Sequence, residues 1–556
     1  MAAEKESLGE RETMKNEAIL SKVFHSPAIP WSNRYNSFFR FLMEGAFAGI
    51  VAGFVGVAFR LALTTAEMWR NHILVWARTI PHWGWLILAV LAALAGGLAG
   101  WLTAFAPETA GSGIPHVEAV LLRQRRLLWW RVIPVKFLAG ALAIGAGMSL
   151  GREGPTVQMG AAAGQAVSKS LMRNKTEELQ LIACGAGAGL AAAFNAPLAG
   201  VIFVLEELRR NFSPYVLGGA LTASIAADLL SQKILGPLPT FRVSYFSPLP
   251  LPALPLLILL GAVTGVLGAA FNRALSLGLD LAESFTGVPR WLRASLVAFA
   301  AGVMGYYLPE VLGGGHFLVE DILAGKVALH TIPLLFVAKF LLTMASYSAG
   351  VPGGIFLPLL VLGTLIGAGI GQAGSYLFPG LQGMTATFAV LGMAAYFVAI
   401  VRAPLTGMVL ITEMTGHYQH MLPLLVACTM AYITAEALGV LPVYEMLLER
   451  DLAKSGNGGE TLLSYRDETI VIELVVETGS PASGCRVKDL QLPPDCLMVS
   501  VNRGSGEIIP RGSTRLLEGD RLKIIVPEGK AGEVVAELDR LTRCRLRGTV
   551  SSGRGL

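Results

Sequence analysis

The sequence predicts an all-α polytopic membrane protein of short, tilted and broken helices, followed by a small soluble α+β domain. Charge is sparse, because 53% of the 556 residues are hydrophobic and 15% are charged, whereas soluble domains are about 25% charged. Residues 340–401 form a stretch of 62 residues without Asp, Glu, Lys or Arg. An apolar tract of that length indicates several membrane spans. From about residue 451 the composition becomes polar and strand-like alternation begins, which indicates a second domain.

The N-terminal segment 1–35 is predicted to be cytoplasmic. It carries many charges and no long apolar core, so we do not expect a signal peptide. Arg34 and Arg40 precede the first apolar span, and the positive-inside rule then places the N-terminus in the cytoplasm. We expect a multi-pass protein of the cell (inner) membrane, within the lipid bilayer, with both termini cytoplasmic.

The remaining composition excludes several classes of function. A net charge of +5 is modest, so the basic residues are expected to anchor loops and not to bind nucleic acid. The five cysteines have no metal or redox spacing, and the eight histidines form no ligand cluster. We therefore expect no metal ion and no cofactor. No catalytic constellation is visible, so the protein is not expected to be an enzyme.

Basic clusters constrain the topology of the first half. They lie at 123–131, 173–175 and 209–210. If all are cytoplasmic, 132–172 and 176–208 each cross the membrane an even number of times. The second of these segments is too short for two full spans of about 20 residues each. Short, tilted or half-crossing helices are therefore predicted.

The membrane region 36–450 contains an internal duplication, with halves at about 40–235 and 250–448. Four motifs recur at an offset of about 199 to 207 residues, and interrupted helices at matching places are typical of a transporter whose site lies between the repeats. The matched features, first half then second, are 111–115 and 313–317, Lys136 and Lys339, 151–155 and 350–358, and 196–200 with Glu206 and 403–407 with Glu413. We expect the two lysines and these two glutamates to be structural.

Glu153 is the most informative single residue. An ionisable group inside an apolar span costs a few kcal/mol or more and indicates a functional site. The surrounding Gly-Arg-Glu-Gly-Pro at 151–155 breaks a helix, and the exposed amide groups with the helix dipole form an anion site. A carboxylate can occupy that site when charged and leave it when protonated. Glu153 is thus predicted to be a proton-operated gate on an anion path; a helix cap paired with Arg152 is the alternative.

The C-terminal part has its own organisation. Residues 451–466 are predicted to be a flexible Gly/Ser linker. A domain at 467–545 follows, with strands at 468–476, 496–502 and 520–526 and a helix at 530–542. The basic tail 546–556 is predicted to be disordered.

Five motifs together resemble the signature sequences of the CLC chloride channel and transporter family. In chain order they are 111–115, 151–155, 196–200, 354–358 and 441–444. The resemblance covers about residues 36–450. It implies an inverted-repeat fold and a homodimer in which each subunit has its own pathway.

The resemblance also implies roles for individual residues. The hydroxyl groups of Ser112 and Tyr444 would bind a central chloride, together with the backbone N–H groups of Ile355 and Phe356. Glu153 would be the external gate and proton acceptor. Ser112 matches the chloride-selective pattern, where nitrate-preferring relatives tend to carry proline.

A second glutamate separates the two branches of this family. Chloride/proton exchangers tend to have an internal proton-transfer glutamate, and the matching position is Glu207. The resemblance therefore implies an antiporter that exchanges chloride for protons; a passive, proton-gated, voltage-type chloride channel is the alternative. Glu207 could instead be an interfacial residue paired with Arg209 or Arg210.

Residues 467–545 resemble the TrkA-C type (RCK C-terminal) subdomain of regulatory domains on potassium transporters. Such modules often dimerise and bind small effectors, so the resemblance implies a regulatory domain with an unknown small effector. No nucleotide-binding half precedes it, which leaves the ligand open. A potassium transporter is not expected, because a carbonyl-lined filter such as Thr-Val-Gly-Tyr-Gly is missing.

Overall fold

The computed structural model describes residues 31–210, 212–241, 249–285, 287–454, 469–490, 492–493, 496–503, 506–527 and 531–542. Most of the predicted cytoplasmic segment, most of the predicted linker and all of the predicted disordered tail lie outside these residues. The chain forms two compact units, Met1–Asp451 and Leu452–Leu556.

The described part of the first unit is built from helices. In chain order they are α1 (Trp31–Arg78), α2 (Gly84–Phe105), α3 (Ile114–Leu121), α4 (Trp129–Gly145), α5 (Glu153–Ser170), α6 (Lys175–Phe194), α7 (Pro197–Phe203), α8 (Pro214–Leu235), α9 (Leu254–Ser284), α10 (Arg290–Tyr307), α11 (His316–Leu323), α12 (Ile332–Ser348), α13 (Phe356–Leu377), α14 (Thr385–Val401), α15 (Pro404–Thr415), α16 (Met421–Ala437) and α17 (Val443–Lys454). A π-helical turn, Val204–Leu208, follows α7 directly. Helix α17 continues through the first four residues of the predicted linker.

Several of these helices are too short to cross a bilayer. Six described helices are long and apolar enough to do so, whereas α3, α7 and α11 have only seven or eight residues. Helices α3 and α11 both begin directly after a left-handed glycine, Gly113 with φ of 84° and Gly315 with φ of 88°. Glycine adopts this conformation readily, so the chain can turn sharply into each helix. The predicted short and interrupted helices are confirmed, and matching breaks occur in both halves.

Glycines let two interior helix pairs approach closely. A Cβ atom on Gly160 of α5 would lie 2.3 Å from the carbonyl oxygen of Gly185 in α6. The equivalent pair in the second half is α13 and α14, where a Cβ atom on Gly363 would lie 2.5 Å from the carbonyl oxygen of Gly392. Small residues at such contacts are typical of membrane helix packing. The glycine-rich run 185–189 is therefore a packing surface.

The second unit contains a four-stranded antiparallel sheet. Its elements are β1 (Thr469–Val475), β2 (Leu497–Arg503), β3 (Gly506–Ile508), β4 (Arg521–Pro527) and α18 (Ala531–Thr542). The strand order is β1-β4-β2-β3. Leu474, Val501, Ile524 and Leu538 are buried in its core. The three predicted strands and the helix are confirmed, and β3 was not predicted.

Candidate functional site

Backbone hydrogen bonds join the three loops that carry the signature motifs. The Gly111 N–H donates to the Val351 carbonyl and the Gly353 N–H donates to the Gly111 carbonyl, both at 3.0 Å. Gly151 and Gly354 exchange a pair of hydrogen bonds, with N···O distances of 2.6 and 2.8 Å. Segments about 200 residues apart in sequence therefore form one site between the two halves, as repeat-based transporters do.

Glu153 is the first residue of α5 and its side chain is completely buried. Its Oε2 atom accepts a hydrogen bond from the Leu357 N–H at 3.4 Å. Its Oε1 atom has no hydrogen-bond partner among the residues that the structure describes. A Cβ atom on Gly151 would lie 2.1 Å from Oε2, so only glycine leaves space for the carboxylate. Glu153 thus lies against the N-terminus of α13, where amide groups and the helix dipole favour an anion.

The predicted neighbour of Glu153 has a different contact. The Arg152 guanidinium lies over the aromatic ring of Phe194, 6.0 Å from the ring centroid. Such a cation–π contact stabilises a buried guanidinium. The first turn of α5 therefore directs Arg152 towards α6 and Glu153 towards α13.

Ser112 is buried beside the same loop. Its Oγ atom accepts a hydrogen bond from the Ile114 N–H at 3.3 Å, which leaves the hydroxyl proton for another acceptor. A Cβ atom on Gly154 would lie 2.7 Å from the Ser112 carbonyl oxygen. The loop of Ser112 therefore touches the first turn of the helix that begins with Glu153.

The other predicted anion ligands are also buried. Ile355 and Phe356 form the N-terminus of α13, and both are inaccessible to solvent. The Tyr444 side chain is completely buried, and its hydroxyl has no hydrogen-bond partner in the described part of the chain. This hydroxyl lies within electrostatic range of both Glu153 and Glu207. The geometry places donors without a countercharge near one buried position.

Tyr347 is a site residue that the sequence did not predict. It lies near the end of α12, and its buried hydroxyl accepts a hydrogen bond from the Ser112 N–H at 3.4 Å. The hydroxyl is also within electrostatic range of Tyr444. The one available signal was its position three residues before Gly350, where the third signature loop begins.

Glu207 lies in a second cluster, on the π-helical turn. Its side chain is buried, and its Oε1 atom has no hydrogen-bond partner among the described residues. The charges that act on Glu207 are chiefly those of Glu118, Arg210 and Glu445. Arg210 forms its ion pairs with Glu118 and Glu445, so the expected alternative of a Glu207–Arg210 pair is not what the structure shows.

Glu206 and Glu413 each cap a helix of the opposite half. The Glu206 carboxylate accepts hydrogen bonds from the N–H groups of Leu405 and Thr406 at the start of α15, at 3.0 and 2.6 Å. The Glu413 carboxylate accepts equivalent bonds from two N–H groups at the start of α7, at 3.1 and 2.7 Å. A carboxylate at a helix N-terminus satisfies amide groups that otherwise have no acceptor. These contacts are structural, as expected from the sequence.

Two buried lysines stabilise equivalent turns. Each ammonium group donates to two backbone carbonyl groups that lie two residues apart. The acceptors are Thr109 and Gly111 for Lys136, both at 2.8 Å, and Val311 and Gly313 for Lys339, at 2.9 and 2.7 Å. Each lysine therefore fixes the turn that leads into a short helix, α3 or α11.

Comparisons with known proteins identify both parts of the chain. The family described as "Voltage gated chloride channel" matches residues 95–436. The family described as "TrkA-C domain" matches residues 471–539. The two matches fall in the two compact units.

Individual relatives agree with the first of these matches. The H(+)/Cl(-) exchange transporter ClcA of Citrobacter koseri is 39% identical over 421 residues, which are 74% of this chain and 89% of the relative. The protein of the same name in Vibrio parahaemolyticus is 38% identical over 459 residues, which are 79% and 96% of the two chains. Among solved structures, a slow cyanobacterial Cl-/H+ antiporter matches with a TM-score of 0.72 at 36% identity, over 75% of this chain and 99% of its own. With its apolar helices, three joined loops and C-terminal sheet, the chain is a multi-pass membrane protein that belongs to the CLC family of voltage-gated chloride channels and transporters and carries a TrkA-C domain.

Proposed function

We propose that this protein is a chloride/proton antiporter of the cell (inner) membrane. The observation that carries the proposal is a pair of buried carboxylates, Glu153 and Glu207, each with one oxygen that has no hydrogen-bond partner in the described chain. Buried ionisable groups within a membrane domain are costly and indicate ion or proton pathways. The names of the relatives, which are exchange transporters, support the same function.

Chloride binds, in this proposal, between Ser112, Tyr444 and the backbone N–H groups of Ile355 and Phe356. A mobile anion is best held by partial charges, because a full countercharge would bind it too tightly for transport. Two hydroxyl groups and the N-terminus of α13, which carries about half a positive charge, provide such a site. The burial of all four residues supports the assignment.

Glu153 is the external gate and the external proton acceptor. When charged, its carboxylate stays beside the Leu357 N–H and excludes chloride from that position. When it takes up a proton, the neutral carboxyl group loses its attraction to the helix N-terminus and leaves room for chloride. Proton uptake and anion passage are thereby coupled at one side chain.

Glu207 is the internal proton-transfer residue. A proton released by Glu153 reaches Glu207 on a route near the Tyr444 hydroxyl, which interacts electrostatically with both carboxylates. Chloride can leave by a different route, so the two ions separate on the internal side. A passive, proton-gated chloride channel would need Glu153 alone.

Reconstitution in liposomes tests the proposal. A chloride gradient should drive protons uphill, and Glu207→Gln should stop proton movement while chloride still passes, because glutamine carries no exchangeable carboxyl proton. Glu436→Gln, which removes an exposed carboxylate paired with Arg402, should leave both fluxes unchanged. Proton pumping at the wild-type rate by Glu207→Gln would rule out the internal role, and absence of any uphill proton movement in the wild type would favour the passive channel.

The assembly and the C-terminal domain belong to the same proposal. We infer a homodimer with one pathway per subunit, both termini in the cytoplasm, and a regulatory TrkA-C domain that binds a small effector. An effector shifts transport only by binding the transport states with different affinities. It should therefore change the flux of the full-length protein and have no effect after truncation at about residue 455.

A further inference from the structure

The carboxylate next to Glu207 in sequence is not available to carry protons. Both Glu206 oxygens accept hydrogen bonds, Oε1 from the Leu405 N–H and Oε2 from the Thr406 N–H and hydroxyl, at 2.6 to 3.0 Å. Protonation would break these bonds and uncap helix α15. Protons that reach Glu207 from solvent must therefore use another group.

A different set of carboxylates surrounds Arg210, two residues after the π-helical turn. The Arg210 guanidinium pairs with Glu445 of α17 and lies 3.9 Å from Glu118 of α3. Both carboxylates also interact electrostatically with Glu207. Three acidic side chains from three separate elements thus converge on one arginine.

These carboxylates form a gradient of burial. The Glu445 side chain is 33% exposed, whereas that of Glu118 is 6% exposed and Glu207 as a residue is 4% exposed. Glu118 Oε2 and Glu207 Oε1 have no hydrogen-bond partners among the described residues. A buried polar atom without a partner is costly unless it serves a function. The two free oxygens are therefore available to exchange a proton.

The backbone of Arg210 is fixed for this contact. Its φ is 46°, in the left-handed region that non-glycine residues avoid at a cost of about 1–2 kcal/mol. The π-helical turn and this left-handed residue together direct the side chain back to α3 and α17. Its charge balances one of the carboxylates, which lets the cluster hold charge near a membrane domain.

We propose that Glu445 and Glu118 form the entrance through which protons pass between solvent and Glu207, with Arg210 as the positioning residue. Glu445 takes a proton from solvent; its O–H bond then breaks as one forms on Glu118, and the same exchange follows between Glu118 and Glu207. One proton enters for each proton that moves on, and no redox change occurs. The inference rests on the proposed role of Glu207.

Proton and chloride fluxes measured together in liposomes test the entrance. Glu445→Gln should lower proton flux by about tenfold or more, since a positioned proton-transfer group typically contributes about 10²–10⁴ in rate, while chloride flux persists. Glu445→Asp, which keeps an ionisable carboxyl group, should retain most of the proton flux. Glu283→Gln is the matched control, because Glu283 is a partly exposed carboxylate paired with Arg450, which lies on the same helix as Glu445; it should alter neither flux.

The variants separate this inference from the function on which it rests. If Glu207→Gln stops protons but Glu445→Gln pumps them at the wild-type rate, the entrance is wrong and the antiporter stands. If Glu207→Gln itself still pumps protons, the proposed function fails first. Should Glu445→Gln lose chloride flux through misfolding, Arg210→Gln decides the matter: slow proton flux with intact chloride flux supports the entrance, and unchanged proton flux overturns it.

Discussion

Lys136 and Lys339 make the same contact in the two halves of the membrane unit. Each buried ammonium group donates to two carbonyl oxygens of the turn before a short helix. The two turns lead into different loops, because only the first continues into the loop of Ser112. The pair therefore offers a direct comparison between stability and anion binding.

Lys136→Met should lower both stability and chloride affinity. It leaves two buried carbonyl groups without their donor, at about 1–3 kcal/mol each, and it frees the backbone of Gly111, which also bonds to the third signature loop. Lys339→Met should cost similar stability with a much smaller effect on chloride binding. Thermal unfolding and chloride calorimetry in detergent would measure the two effects. Equal losses of affinity in both variants would contradict this assignment.

Gly151→Ala should displace the Glu153 carboxylate. The added Cβ atom would lie 2.1 Å from Oε2, so the side chain must leave the Leu357 N–H. We expect chloride flux that depends less on pH, similar to that of Glu153→Gln. Flux measured across a pH series would show this. A pH profile identical to that of the wild type would mean that the carboxylate does not gate from this position.

Tyr347→Phe should weaken chloride binding without unfolding the protein. The variant keeps the buried ring but removes the oxygen that accepts the Ser112 N–H, so the Ser112 loop loses one restraint. A lost hydrogen bond of this kind is worth about 0.5–1.5 kcal/mol, or up to about a tenfold change in affinity. Chloride calorimetry checks the affinity, and the chloride-to-nitrate flux ratio checks the selectivity. Tyr376→Phe, at an exposed tyrosine, is the control.

Asp520 makes the stability of the C-terminal domain dependent on pH. Burial opposes ionisation, but hydrogen bonds from Arg503 and the Leu517 N–H outweigh it and lower the pKa of Asp520. Because the folded pKa lies below the ordinary value of about 3.9, its stabilisation is complete above that value and is lost as pH falls through the folded pKa. Hydrogen exchange of β4 in the full-length protein, corrected for intrinsic rates, should show this loss between about pH 4 and 2. Asp520→Asn should lower protection already at pH 7 and remove most of the acid dependence; protection like that of the wild type would contradict the role of the ion pair.

The sequence identified the features that leave a local chemical signal. Glu153 was found because a charge stands out in an apolar segment, and the repeat identified the equivalent lysines and capping glutamates. Tyr347 was missed because a tyrosine in a charge-free tract resembles packing, and its contact with Ser112 joins residues 235 positions apart. The contact of Arg210 with Glu445 has the same separation. Such pairings arise from the assembled fold, and no local pattern predicts them.

The capping of α7 by Glu413 has a consequence for how the protein is made. The carboxylate that accepts the Ala199 N–H lies 214 positions later in the chain. At about 5–20 residues per second, a ribosome needs roughly 10–40 s to supply it. During that interval the start of α7 must find other acceptors, such as water or the translocation machinery. The first half therefore emerges as an unfinished structure, and it reaches its final form only when the second half has entered the membrane beside it.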